Sequence, residues 1–460
     1  MRQINILPAG FNTKSSLYLS HISANYFYYA STVAVYVYKL ETFMLVNVIT
    51  IGDSSITSFS VSPANENIIT IGYVNGSICC YDMTLQKVVN MTQGPCARAT
   101  ILLCSNHDPD ICVIIDNREE VLNRVVSWIY RNEENNTNTI NRHKILEFKE
   151  GVVINVARWH PHMHSYLALG CNNGEVYLFN YSASTKKIFA RKDGNHVVVD
   201  IQWDRLSSVY LLVAYCNFIS LWDTETQCEI NVFDKQPAGI TSLAWMDWTA
   251  GNFVSTNAKN GTLKVWNVSQ KQSIDTIRVG DVGISYIRLG PGTKQSVCAH
   301  VDGSVSVFNL ENKHLDFVTG QGHTETIFDC KFSPLSPEIF ATVSFDQTLK
   351  IWNSSDLSLT KTVHGADSIL YSLTWSPSGR IIAASSASGA VIMWNIETGK
   401  EVARYEHHSK GSFSVVWNAL RPDILASSSA DRSVVIFEVD ENTLLQEENS
   451  VVRGSQKHQN

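Results

Sequence analysis

Residues 322–353 read GHTETIFDCKFSPLSPEIFATVSFDQTLKIWN, and the last five of them carry a strand signature. In Leu349-Lys350-Ile351-Trp352-Asn353 apolar and polar side chains alternate before an aromatic residue and an amide. Period-two alternation is the pattern of a strand with one buried face. Working outward, the same ending recurs at Tyr81-Asp82, Phe179-Asn180, Trp222-Asp223, Trp266-Asn267, Phe308-Asn309, Trp394-Asn395 and Phe437-Glu438. From Phe179 the steps are 43, 44, 42, 44, 42 and 43 residues. Tyr38 lies 43 residues before Tyr81, so the first 40 residues hold a unit as well. The 98 residues between Tyr81 and Phe179 leave room for one more, ending near Trp128 and carrying an insertion.

A second series keeps the same beat. Trp159, Trp203, Trp245, Ile287, Phe332, Trp375 and Trp417 are separated by 44, 42, 42, 45, 43 and 42 residues. Two aromatic series locked to one period describe a repeated supersecondary unit. Asn75-Gly76, Asn173-Gly174, Asn260-Gly261 and Asp302-Gly303 fall between the strands, and such pairs suit hairpin turns because they tolerate positive φ. Each unit therefore reads as three or four short antiparallel strands. One such sheet cannot bury its own faces, whereas copies arranged radially can. The expected fold is an all-β β-propeller of about ten units, with Trp159, Trp203, Trp222, Trp245, Trp266, Phe332, Trp375, Trp394 and Trp417 as blade-core aromatics.

The unit at 322–353 resembles the WD-repeat family consensus, with Gly322-His323 at its start and Trp352-Asn353 at its end. The resemblance implies a buried hydrogen-bonded tetrad of His323, Thr342, Asp346 and Trp352, and a partial one of His408, Ser427 and Asp431 with Phe437 replacing Trp. An indole N–H needs an acceptor when buried, and a buried carboxylate needs donors. The other units have mostly lost the His and Asp.

Leu7-Pro8-Ala9-Gly10, Ser15-Ser16-Leu17-Tyr18-Leu19, Tyr29-Ala30-Ser31-Thr32 and the stretch His323–Asp346 are similar to the N-terminal part of the animal WD repeat-containing protein 17 family. That resemblance implies two tandem propellers followed by a helical region. The expected division is a seven-bladed ring over 1–315, about three blades of a second propeller over 316–440, and a disordered polar tail over 441–460. By this measure the chain reads as truncated; the alternative is one irregular ten-bladed ring.

The remaining features narrow the function. Apolar residues make up 44% and charged residues 17%, a globular composition, and the net charge of −7 offers no basic footprint for nucleic acid. The opening Met1-Arg2-Gln3-Ile4-Asn5 lacks the apolar core of a signal peptide, and no run of about 18 apolar residues suggests a membrane span. The ten cysteines, among them Cys79, Cys80, Cys96, Cys104, Cys171 and Cys330, form no C-x-x-C pair and read as reduced thiols of a cytoplasmic protein. His160-Pro161-His162-Met163-His164 is the one cluster with zinc-ligand character, but it aligns with Phe332-Ser333-Pro334 and Trp375-Ser376-Pro377, so it reads first as a repeat turn. The polar stretch Arg131–Arg142 reads as an inserted loop.

Nucleophile elbows, P-loops and dinucleotide fingerprints are absent from the sequence. The expected function is a non-enzymatic scaffold without cofactors. It binds partner proteins through propeller faces and rim loops, within a larger multi-subunit assembly. Fold-level analogy points to coat and ciliary transport complexes. A cullin ligase substrate receptor ranks below this reading, because Trp222-Asp223 is followed by Thr224-Glu225 rather than by the Trp-Asp-x-Arg pattern.

Overall fold

The computed structural model describes residues 9–10 and 20–446, apart from 53, 63–64, 94–100, 106–110, 117–123, 130–140, 149–150, 164, 181–182, 184, 192–195, 208, 291 and 356–357. Among the described residues there are ten antiparallel sheets, nine of four strands and the last of three, and in each the strands pair in sequence order. They span 20–49, 56–93, 101–147, 154–189, 198–232, 242–278, 284–319, 327–363, 370–405 and 412–438. Pairing of neighbours only is what tight hairpin turns between short strands enforce. Gly76, Gly174 and Gly303 supply positive φ at such turns. Gly261 serves a different need, since a Cβ there would lie 2.4 Å from the carbonyl oxygen of Gly280. Gly174 combines both constraints, with φ of 85° and a Cβ position 2.8 Å from the His196 carbonyl oxygen. Gly174→Ala is therefore expected to cost at least the ~1–2 kcal/mol of the left-handed conformation, read as a lower denaturant midpoint.

The chain divides into two compact units, a first of Gly10–Gln321 and a second from Gly322 onward with which Ala9 groups. In the first unit each sheet lays its opening strand against the opening strand of the next. Ser20–Ile22 meets Ile56–Ser62, then follow Ile101–Cys104, Ile154–Trp159, Val198–Trp203, Ser242–Trp245 and Ile284–Leu289. The strands Ile284–Leu289 and Gln295–His300 of the seventh sheet in turn meet Ser20–Ile22 of the first. Tyr38 Oη lies 2.8 Å from Thr319 Oγ1, and Phe43 stacks on Phe317 at 5.1 Å between ring centroids.

Apolar burial follows the same logic, because a sheet with two apolar faces must find a neighbour for each. One core joins Leu212, Ala214 and Leu221 of the fifth sheet to Leu243, Trp245, Phe253 and Trp266 of the sixth. Another joins Met246, Val254 and Leu263 of the sixth to Ile287, Cys298 and Phe308 of the seventh. In the second unit Ala341, Val343 and Ile351 pack on Leu373, Trp375 and Ile392, and Ile381 and Met393 pack on Val415, Trp417 and Leu425.

Four expectations are corrected. The first unit runs to Gln321 rather than 315, because His314–Thr319 is the outer strand of the seventh sheet. The segment expected as a tail begins with a helix at 441–446. Its Leu444 and Leu445 pack on the last core, and its Glu441 accepts a hydrogen bond from Ser376 Oγ at 3.1 Å. Residues 447–460 lie outside the described part. The loop expected over 131–142 stops short of Asn141 and Arg142, which open the strand Asn141–Glu147, while 130–140 lie outside the described residues. Phe332, expected in a blade core, is 62% exposed. It closes the opening strand of the first sheet in its unit, on the face turned away from the ninth sheet, so no preceding sheet of that unit covers it.

Candidate functional site

The tetrad residues of the eighth sheet lie together. Trp352 Nε1–H donates to Thr342 Oγ1 at 2.9 Å, and Thr342 Oγ1 lies 2.7 Å from His323 Nε2. His323 Nδ1 lies 2.9 Å from Asp346 Oδ2. A carboxylate only accepts, so Nδ1 carries the proton; in the neutral ring Nε2 then accepts from the Thr342 hydroxyl. Asp346 takes further bonds from the Thr324 amide at 3.0 Å and the Thr348 hydroxyl at 2.6 Å. Burial alone would raise the Asp346 carboxyl, but the hydrogen bonds and charge of His323, with those of Thr348, outweigh it and hold the group well below its ordinary 3.8.

A depressed folded-state value stabilises the fold above the unfolded value, and that stabilisation is lost as pH falls through it. The unit from residue 322 is expected to lose stability progressively from about pH 5 downward, as the Asp346 carboxylate takes up its proton. Asp346→Asn should be weaker near neutrality and flatter in acid. Melting temperatures of both proteins across that range check this, and parallel curves would count against it.

In the tenth sheet His408 Nδ1 lies 3.1 Å from Asp431 Oδ2, and Nε2 lies 2.8 Å from Ser427 Oγ. Phe437 is buried beside them but has no N–H to offer. A relative of this arrangement escaped the sequence reading. In the sixth sheet Trp266 Nε1–H donates to Ser255 Oγ at 3.0 Å, and Ser255 Oγ donates to Gln236 Oε1 at 3.3 Å. Gln236 precedes Ser255 by 19 residues, the spacing of His323 to Thr342 and of His408 to Ser427, so the interval was the available signal. In the seventh sheet His300 Nε2 lies 2.7 Å from Ser306 Oγ. Where the hydroxyl is lost the indole loses its acceptor. Leu212 and Ala384 stand ten residues before Trp222 and Trp394, as Thr342 does before Trp352, and those two N–H groups have no protein partner.

The core of the first unit holds a second network that sequence reading missed. Arg158 Nη2 donates to Asp200 Oδ1 at 2.8 Å and to Tyr286 Oη at 3.0 Å. Asp200 Oδ2 accepts from Ser242 Oγ at 2.8 Å and from the Leu243 amide at 2.9 Å. Four successive opening strands thus contribute, that of the sixth sheet with both Ser242 and Leu243, and the carboxylate of Asp200 is fully buried. The motif repeats in the second unit, where Asp329 Oδ2 accepts from Ser372 Oγ at 2.9 Å and the Leu373 amide at 3.0 Å. The donors follow their carboxylates by 42 and 43 residues in the first unit and by 43 and 44 in the second, the repeat period again.

Trp159, Trp203, Trp222, Trp245, Trp266, Trp375, Trp394 and Trp417 are all buried. The histidine cluster does not converge on one point. His160 is buried and its Nδ1 accepts from the amides of His162 at 3.1 Å and Met163 at 2.8 Å, while His162 Nε2 faces the Arg205 carbonyl at 2.8 Å. His164 lies outside the described residues. No group of three metal-ligating side chains occurs among the described residues. Asp223 spends Oδ1 on the amides of Glu225 and Thr226, which makes it a turn cap. Nine cysteines are free: Cys79, Cys80, Cys104, Cys112, Cys171 and Cys298 are buried, Cys216, Cys228 and Cys330 exposed, and Cys96 lies outside the described residues. No described helix is long and apolar enough to cross a membrane.

Comparison with known proteins agrees with this geometry. Residues 316–353 match the WD domain, G-beta repeat, and residues 338–420 match the anaphase-promoting complex subunit 4 WD40 domain. The chain is 22% identical over 318 residues to the pre-mRNA-splicing factor cwf17 of Schizosaccharomyces pombe, covering 66% of this chain and 90% of that protein. It is 22% identical over 223 residues to the guanine nucleotide-binding protein subunit beta of Solanum tuberosum, covering 36% of this chain and 59% of that one. It is 30% identical over 88 residues to the small ribosomal subunit protein RACK1 of Drosophila melanogaster, covering 19% and 28%. WD40 proteins are typically non-enzymatic and generally act as protein-interaction scaffolds. The family matches fall within residues 316–420, and with the relatives they show a likeness to WD40 repeat proteins.

Proposed function

We propose that residues 10–321 form a closed seven-bladed propeller, that 322–446 hold three blades of a second, and that the chain is a non-enzymatic platform for partner proteins. The observation that carries this reading is the return of the seventh sheet onto Ser20–Ile22 of the first, sealed by the Tyr38–Thr319 hydrogen bond. A closed ring leaves no sheet face uncovered at its join and holds its loops at fixed positions, which suits recognition by many small contacts. The second unit supports the seven-plus-three division by its outer faces. Phe332 and Leu335 are exposed on the eighth sheet, and Val416, Val434 and Ile436 on the tenth.

A multi-subunit setting fits relatives that are themselves named as subunit proteins. The free cysteines fit a cytoplasmic one. The tandem arrangement is the one implied by the likeness to the WD repeat-containing protein 17 family. The cullin-receptor reading stays below the scaffold reading, since Thr224 and Glu225 follow Trp222-Asp223 where that motif needs Arg.

Affinity capture of the full chain with chemical cross-linking tests the platform reading. Discrete partner proteins cross-linked to inter-strand loops of the sheets are expected. Cross-links confined to 447–460, or recovery of the chain alone, would contradict it; a cullin adaptor among the partners would favour the alternative.

A further inference from the structure

At the C-terminal ends of the opening strands Ser20–Ile22, Ile154–Trp159, Val198–Trp203 and Ile284–Leu289 the first unit encloses a cavity of about 200 Å³. Among the described residues its lining includes Arg158, Arg205 and Arg288 and no acidic side chain. The nearby acids are committed elsewhere or lie at the margin. Asp200 is surrounded by Arg158, Ser242 and two backbone amides, and Asp247 approaches Arg205 at 3.6 Å. Arg288 lies over the face of Tyr286 at 4.6 Å, and that same tyrosine accepts from Arg158.

Two further lining groups are donors left over by the fold. Gln202 Nε2 and Trp203 Nε1 are buried and have no hydrogen-bond partner in the protein. A buried donor without an acceptor costs free energy, and here two such donors share one cavity with three cations. His21 registers the field of the site. Burial, reinforced by the charges of Arg288 and Arg205, lowers its imidazole to about 3, so at neutral pH it adds no positive charge of its own and leaves the site to the arginines.

We propose that this cavity binds a phosphate group, either free or carried on a partner peptide. The chemistry asks for a ligand that only accepts, carries more than one negative oxygen and is small. Guanidinium groups meet phosphate oxygens in paired, charge-assisted hydrogen bonds, and the tetrahedral anion offers oxygens to the amide and indole N–H groups at the same time. This goes beyond the platform reading and stands on the cavity alone. Its failure would leave partner capture by the faces untouched, and failure of partner capture would leave it standing.

Calorimetric titration of the full chain in chloride buffer at constant ionic strength tests the site, first with inorganic phosphate and then with a phosphoserine peptide and its unphosphorylated form. Saturable one-site binding of phosphate or phosphopeptide is expected, with none for the unphosphorylated peptide. Arg205→Gln and Arg288→Gln should each weaken binding about tenfold or more. Arg205 is half exposed, so its variant should keep the wild-type melting temperature and carry the test if the Arg288 variant does not fold. Lys294→Gln, at a surface cation paired with Glu311, should bind as wild type does. Tighter binding of the phosphopeptide than of phosphate assigns the ligand to a partner protein, and the reverse assigns it to a small solute. Absence of saturable binding to either, or wild-type affinity in a folded Arg205→Gln protein, would overturn the proposal.

Discussion

Trp352→Ala is expected to lower the stability of the 322–446 unit by about 3–5 kcal/mol. The indole is 4% exposed, packs beside Phe340 with near-parallel rings 6.3 Å apart, and donates to Thr342 Oγ1. Truncation opens a cavity that the flanking strands cannot close, because Phe340 and Trp352 are paired directly in register. It also removes the donor to Thr342 Oγ1, which then keeps only its bond to His323 Nε2. Trp352→Phe separates the two effects. It keeps most of the apolar area and loses the N–H, so only about 0.5–1.5 kcal/mol should go. Denaturant unfolding followed by circular dichroism reads both variants. A midpoint unmoved in Trp352→Ala would mean that the side chain is not buried as described.

Asp200→Ala should be as severe in the first unit, about 3–5 kcal/mol. The change strips Arg158, Ser242 Oγ and the amides of Ile201 and Leu243 of their shared acceptor. The cost arises less from a lost attraction than from leaving the Arg158 charge buried without its carboxylate. The informative companion is the double variant Arg158→Met with Asp200→Leu. Replacing a buried ion pair by apolar residues of similar size is often neutral, so much of the loss should return. If the double variant were as unstable as Asp200→Ala, the loss of the bonds to Ser242 and Leu243, rather than the stranded charge, would be the dominant effect.

The repeat was legible because each unit ends a buried strand on an aromatic, and a spacing near 43 residues survives every local change of residue type. The tetrad of the eighth sheet was legible for the same reason, since His323, Thr342, Asp346 and Trp352 are all of the type the chemistry needs. The pattern failed where chemistry was conserved by substitution. Gln236 does with an amide part of what histidine does elsewhere, and only its 19-residue distance from Ser255 marks it.

Phe332 shows a second limit. Its sequence environment is that of Trp375 and Trp417, and it differs from them only in having no preceding sheet in its own unit. Such a difference belongs to assembly and leaves no local trace. The boundary at Gln321 was missed because outer strands such as His314–Thr319 carry no terminal aromatic to mark them. The helix at 441–446 was hidden by polar neighbours around the two leucines that anchor it. The Arg158–Asp200 network joins strands more than 40 residues apart, and a single sequence offers no reason to pair those two positions.

A double-mutant cycle across the join of the first and seventh sheets tests the proposed closure of the ring. Tyr38 and Thr319 are 281 residues apart in sequence, so only closure brings their hydroxyls to 2.8 Å. Stabilities of the wild type, Tyr38→Phe, Thr319→Val and the double variant give the coupling energy between them. Closure predicts a coupling of about 0.5–1.5 kcal/mol, the worth of a buried hydrogen bond. Effects that simply add, to within about 0.3–0.5 kcal/mol, would contradict it.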